Sequence, residues 1–136
     1  MSYAGDITPQ ESWELLSQNP DSVLVDVRTS AEWNWVGRPD LTELGKEVVF
    51  VEWNTAEGPN PSFVADLLAA GVTPGDRPVI FLCRSGARSI PAAEAATAAG
   101  IGPSYNMLQG FEGHLDEAGH RGVTGWRAVG LPWKQS

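Results

Sequence analysis

A single cysteine, Cys83, stands in the whole 136-residue chain, so no internal disulfide can form and no quartet of thiolates is available for zinc. A reducing compartment suits such a chain. Long apolar runs are also missing: nothing approaches the roughly 18 residues that a membrane-spanning helix needs. The opening MSYAGDITPQESWELL has neither the basic n-region nor the apolar h-region of a secretory leader. These absences lead us to expect a soluble, cytoplasmic protein. Basic residues are few, nine Lys and Arg against seventeen Asp and Glu, for a formal charge of -8. Such a field repels phosphate backbones and anionic lipid, so neither nucleic acid nor a membrane is an expected partner. The charge serves solubility, and it makes any local pair of arginines conspicuous.

What is present is the balance of a globular domain. Hydrophobic residues make up 42% and charged residues 19%, a composition that folds rather than staying disordered. A chain of this length buries roughly two-thirds of its unfolded surface in one core, so one domain over 1–136 is expected.

Thr8 before Pro9, with Glu11 in the first turn, opens a helix that carries Trp13, Leu15 and Leu16 and stops at Asn19-Pro20. SVLVDVR, Ser22 to Arg28, has the apolar continuity of a buried parallel strand. TSAEWNWV reads as a short helix capped by Thr29 or Ser30, and VVFVEW, Val48 to Trp53, as a second strand. Asn60-Pro61 opens a helix through SFVADLLAAG that Gly71 ends. A third strand ends PVIFLC, SIPAAEAATAAG is a helix closed by Gly100, and SYNML is a fourth strand. Strands alternating with helices favour a parallel sheet covered on both faces, which is the α/β class. The Gly- and Trp-rich segment after Gly110 has little periodicity and is expected to form loop and short helix packed back on the domain.

The cysteine lies in FLCRSGARSI, where a strand ends and a helix is about to begin. Gly86 lets the intervening residues turn and aim successive backbone N–H groups at one point, and the following helix adds the positive end of its dipole. A thiolate at such a nest is stabilised, which makes Cys83 a candidate nucleophile. Arg84 and Arg88 add positive charge in a negative protein. A lone cysteine can also be a small buried hydrophobe, but flanking Arg, Ser, Gly and Arg are poor core formers.

Two chemistries place a thiolate in an anion-cradling loop ahead of a helix: cysteine phosphatases, and sulfurtransferases that carry a persulfide. Four residues, Arg84 to Ala87, separate Cys83 from Arg88, one fewer than in the phosphatase loop. The smaller mouth matches a terminal sulfur atom better than a phosphoryl group. Neither a metal nor a cofactor is needed by that chemistry. His114 and His120 have no third ligand clustered nearby and read as solvated loop histidines. Trp33, Trp35, Trp53 and Trp126 could line an acceptor groove, but core or rim packing is the favoured reading.

The sequence resembles the rhodanese family in its single-domain form. The matching pieces are LVDVRTSAEW, with Asp26, Arg28, Glu32 and Trp33, then VIFLCRSGARS, NMLQGF and the terminal GLPW, which together span nearly the whole chain. The resemblance implies an α/β fold whose central, mainly parallel sheet has helices on both faces. It implies a double displacement: a sulfane donor such as thiosulfate passes sulfur to Cys83, and cyanide, a thiol or a protein acceptor removes it. Arg84, Ser85, Gly86, Ala87, Arg88 and Ser89 would then form the substrate loop, whose amides stabilise the persulfide while Arg84 and Arg88 orient the anionic donor. Asp26 and Arg28 would support the site. A carboxylate at that strand end could tune the thiolate, whereas the spacing of Arg28 and Glu32 suggests an ion pair tying strand to helix, and the structural role is favoured.

Two departures from the family pattern stand out. No His-Ile follows Gly37, and Phe111 replaces the second glycine of the L-x-G-G element, where it could narrow the pocket mouth or pack in the core. With no second cysteine to resolve a persulfide, release requires an external acceptor. Two alternatives stay open: a phosphatase or arsenate reductase using the same nucleophile, and a non-catalytic binding module, whose usual mark is loss of the cysteine.

Overall fold

The computed structural model describes residues 3–55, 58–84, 86–113, 117–119 and 124–134. Five strands form one sheet: β1 (Gly5–Ile7), β2 (Val23–Asp26), β4 (Val49–Phe50), β7 (Val79–Leu82) and β8 (Ser104–Met107). Their spatial order is β1-β8-β7-β2-β4 and every neighbouring pair is parallel. Two small antiparallel ladders complete the strands, β3 (Arg38–Pro39) with β9 (Trp133–Lys134) and β5 (Asn54–Thr55) with β6 (Gly58–Pro59).

The helices are α1 (Pro9–Gln18), α2 (Ser30–Trp35), α3 (Phe63–Ala69) and α4 (Ser89–Ala98). Thr8 caps α1 through a reciprocal pair: its hydroxyl accepts the Glu11 N–H at 3.1 Å, and the Glu11 carboxylate accepts the Thr8 N–H at 2.9 Å. Thr29 and Glu32 repeat the arrangement at the start of α2. α3 begins two residues later than the Asn60-Pro61 signal, because Asn60 Oδ1 accepts the Ser62 N–H at 2.9 Å and holds that segment in a turn.

Alternate residues of the central strands feed two layers. Val23, Val25, Val79 and Phe81 pack with Phe63 and Leu67 of α3 and with Ala92, Ala93 and Ala96 of α4. Leu24, Ile80 and Leu82 pack on the other face with Leu16 of α1, Leu41 and Trp126. β2 and β7 are buried along their whole length, and this is why β7 reads as an unbroken apolar run and β2 as one up to Asp26.

The strand expected over Val48–Trp53 is regular only at Val49–Phe50, although Val51 and Trp53 still donate to Asp26 and Val27 along β2. β1 and β3 carry too few residues for any period to register, and both lie outside the strands anticipated above. Of the segment after Gly110, the described residues form turns and β9, and residues 114–116 and 120–123, over which the expected loop and short helix also extend, lie outside the described residues. Trp126, completely buried, packs that segment on Leu16, Leu24 and Leu82.

Candidate active site

Cys83 directly follows β7 and is 1% exposed. The chain then turns so that the Gly86 N–H donates to Cys83 Sγ at 3.1 Å. Gly86 has φ +99, and a Cβ there would press on Gln109 N and Met107 O at 3.2 and 3.3 Å, so the turn requires glycine. α4 begins at Ser89, whose hydroxyl lies 3.3 Å from Sγ. Arg84 and Ala87 are exposed, Arg88 is half-buried, and Ser85 lies outside the described residues.

A second segment roofs the loop. Phe111 N–H donates to Cys83 O at 2.8 Å, and the Glu112 and Gly113 N–H groups donate to Arg84 O. This contact is backbone to backbone, and Gly110 makes it possible: φ is +59 and a Cβ would lie 2.3 Å from Cys83 O. The Phe111 ring does not line the pocket mouth. It is fully buried, lies 4.3 Å from the Arg28 guanidinium carbon and meets Trp133 edge-on.

The ion pairs differ from the expected one. Arg28 does not bind Glu32; it binds Asp26, with Nε and Nη2 donating to the carboxylate at 2.7 to 3.1 Å and both side chains fully buried. Arg28 Nη2 also donates to Gly37 O at 2.8 Å, while Nη1 has no hydrogen-bond partner among the described residues. The Phe111 face covers that guanidinium and offers the π-electron contact that partly replaces the missing acceptor. Glu32 instead receives Arg88, Nη1 on Oε1 at 2.8 Å and Nη2 on Oε2 at 2.9 Å. Burial opposes ionisation of Glu32, but the Arg88 and Thr29 bonds outweigh it and hold the carboxyl below its ordinary 4.5. The same pair, above all its hydrogen bonds, holds Arg88 more firmly protonated than usual. Arg88 is thus engaged by α2, whereas the exposed Arg84 makes no side-chain hydrogen bond among the described residues.

Asp6 and Asn106 complete the surroundings of the thiol, and sequence reasoning missed both. Asn106 is buried at the end of β8 in hydrogen-bond contact with Ser89, and it donates to Asp6 at 3.0 Å. A cavity of about 300 Å³ beside the loop includes Asp6, Asn106, Gly86 and Gln109 in its wall. No local pattern marks these residues, because the partners are 100 positions apart. The tryptophans are mostly packed: Trp126 is in the core, Trp53 meets Phe63 and Trp33 meets Phe50 edge-on, and Trp35 is 80% exposed. His114 and His120 lie outside the described residues. The arrangement can present one sulfur nucleophile, hydrogen-bonded from a backbone amide and a hydroxyl, under a roof of backbone.

Comparison with known proteins gives a consistent set of likenesses. The family profile described as STR4 middle domain matches residues 5–136. The crystal structure of Rv0390 from M. tuberculosis superposes with a TM-score of 0.91 at 64% identity, covering 99% of this chain and 100% of that one. A protein named sulfurtransferase from Allochromatium vinosum is 29% identical over 127 residues, 93% of this chain and 92% of its own. A rhodanese-like domain protein from Staphylococcus aureus, 18% identical, shares the fold with a TM-score of 0.62 over 97% of this chain and 98% of its own.

Proposed function

This chain belongs to the STR4 middle-domain family and has the rhodanese-like fold, and from that premise we propose that it transfers sulfane sulfur through a persulfide on Cys83. The observation that carries the reading is the Gly86 N–H directed at Sγ across a loop with only four residues between Cys83 and Arg88. A loop of that size suits a sulfur atom.

The Cys83 thiolate attacks the outer sulfur of a small sulfur-containing anion such as thiosulfate. The S–S bond of the donor breaks, sulfite leaves with the electron pair, and Cys83 carries a persulfide. Cyanide, an external thiol or a protein acceptor then attacks the terminal sulfur and returns the electron pair to Cys83 as thiolate. Loop amides and the Ser89 hydroxyl stabilise the sulfur anion. The exposed Arg84 steers the donor; Arg88, held by Glu32, shapes the loop and adds its field. Asp26 and Arg28 support the strand end on which the loop stands. Release to an external acceptor follows from the single thiol, and a reducing, cytoplasmic setting keeps that thiol available.

The test is to incubate the reduced protein with excess thiosulfate, remove the donor and weigh the intact chain. A gain of about 32 Da, one sulfur atom, that is absent in Cys83→Ser and lost on adding cyanide is the expected result. No gain from thiosulfate or from a panel of other sulfane donors would overturn the proposal. Phosphate-ester turnover that disappears in Cys83→Ala would then favour the phosphatase chemistry.

A further inference from the structure

Three polar side chains run in file from the thiol to the sheet edge. Ser89 Oγ lies 3.3 Å from Cys83 Sγ and in hydrogen-bond contact with Asn106 Oδ1. Asn106 Nδ2 donates to Asp6 Oδ1 at 3.0 Å, and the Tyr3 hydroxyl donates to the same oxygen at 2.8 Å. Strand register produces the line. Asp6 is paired with Asn106 and Asn106 with Phe81 in adjacent parallel strands, so their side chains leave one face of the sheet. Cys83, two residues beyond Phe81, packs on that face with α4. Ser89 and Asn106 are 0% and 1% exposed.

The bond directions follow from what each group can give. An ionised Asp6 only accepts, so the Asn106 amide turns its NH₂ to Asp6 and its carbonyl to Ser89. Ser89 then has one hydroxyl proton and two acceptors for it, Asn106 Oδ1 and the sulfur. We propose that Asn106, held by Asp6, is a positioning residue for Cys83: it competes with the sulfur for the single hydroxyl proton of Ser89 and so sets how readily the thiol ionises.

With the thiol protonated, S–H faces the Ser89 oxygen and the Ser89 proton goes to Asn106. When the thiol proton leaves to water, the hydroxyl turns to the sulfur and the buried Asn106 carbonyl loses its donor. Ionisation therefore costs the hydrogen bond to Asn106, and removing the competing carbonyl makes ionisation easier. The charged groups on the elements packed about the sulfur are Arg84 and Arg88 of the loop, Glu32 of α2 bound to Arg88, Asp26 at the end of β2 with its partner Arg28 just beyond it, and Asp6 of β1. Of these only Asp6 belongs to the relay. Ionisation of the thiol does not depend on which group Cys83 transfers.

Alkylation of the purified full-length protein by iodoacetamide, followed across pH, reads the ionisation directly. Asn106→Ala should move the midpoint of the profile down by roughly half to one pH unit. Ser89→Ala should move it up, because the thiolate loses its hydroxyl donor. In the Ser89→Ala background the Asn106→Ala shift should vanish. An unmoved midpoint in Asn106→Ala, or a shift in the same direction as Ser89→Ala, overturns the proposal. Should Asn106→Ala fail to fold, the exposed Asp6 supplies the second test. Asp6→Ala releases the amide and should lower the midpoint, whereas Asp6→Asn keeps an acceptor without the charge and should stay near wild type. Equal shifts in those two variants would mean that charge alone acts, and would also overturn the proposal. Because alkylation needs no sulfur donor, a failure here is distinguishable from a failure of sulfur transfer.

Discussion

Asp26 and Arg28 show how much one buried residue depends on a single partner. The two bind each other out of reach of water, and among the described residues the Arg28 guanidinium otherwise meets the Gly37 carbonyl and the Phe111 ring. Asp26→Asn leaves the guanidinium buried and uncompensated, and should cost about 3–5 kcal/mol. A fall in the urea midpoint would register it; a loss well under about 1 kcal/mol would mean that solvent reaches the pair after all. Both residues were identifiable as important from Asp-Val-Arg at a strand end, but not their pairing. The spacing of Arg28 and Glu32 suggests an ion pair tying strand to helix, yet the guanidinium turns back to Asp26, two residues earlier on the strand, and Glu32 is taken by Arg88.

At the scale of an element, α2 is the case to consider. It has six residues and buries none of them, so neither propagation nor core packing can sustain it alone. Besides the edge-on contact of Trp33 with Phe50, its support is polar. The Thr29–Glu32 capping pair closes the first turn, Ser30 N–H donates to Glu52 at 2.9 Å, and Glu32 clamps Arg88 at the end of the active loop. Because the folded Glu32 ionises below its ordinary 4.5, its contribution is fully present above that value and is lost as pH falls through the lowered one. Glu32→Gln should cost about 1–2 kcal/mol near neutrality. The gap between the two proteins should close on acidification, as urea melts from about pH 6 to about pH 3 would show. A gap that stayed constant over that range would sink the assignment. The cap was legible in the sequence as Thr29 or Ser30, and Thr29 is the one used; the clamp was not, since Glu32 and Arg88 stand 56 positions apart.

For the molecule as a whole, the last described segment closes over the site in layers. Trp126 N–H donates to Gly110 O at 2.8 Å, its indole donates to Pro132 O at 2.7 Å, and its ring meets Trp13 of α1 edge-on. β9 then pairs with β3, and Gly110 and Phe111 press on the backbone of Cys83 and Arg84. Trp126→Ala should cost about 3–5 kcal/mol and speed alkylation of Cys83 by loosening this roof. A stable variant with unchanged alkylation would show that the segment does not brace the loop. By itself the sequence determined the α/β alternation, the two fully buried central strands, the helix caps and the placing of one thiol between a strand and a helix. Each of these rests on neighbouring residues, whose period and capping groups govern backbone hydrogen bonding and burial. Only the tertiary structure decided which polar groups meet: Glu32 with Arg88, Asn106 with Asp6, and Phe111 on Arg28. Such pairs depend on strand order and register across the sheet, and a linear pattern of polar and apolar residues carries no information about either.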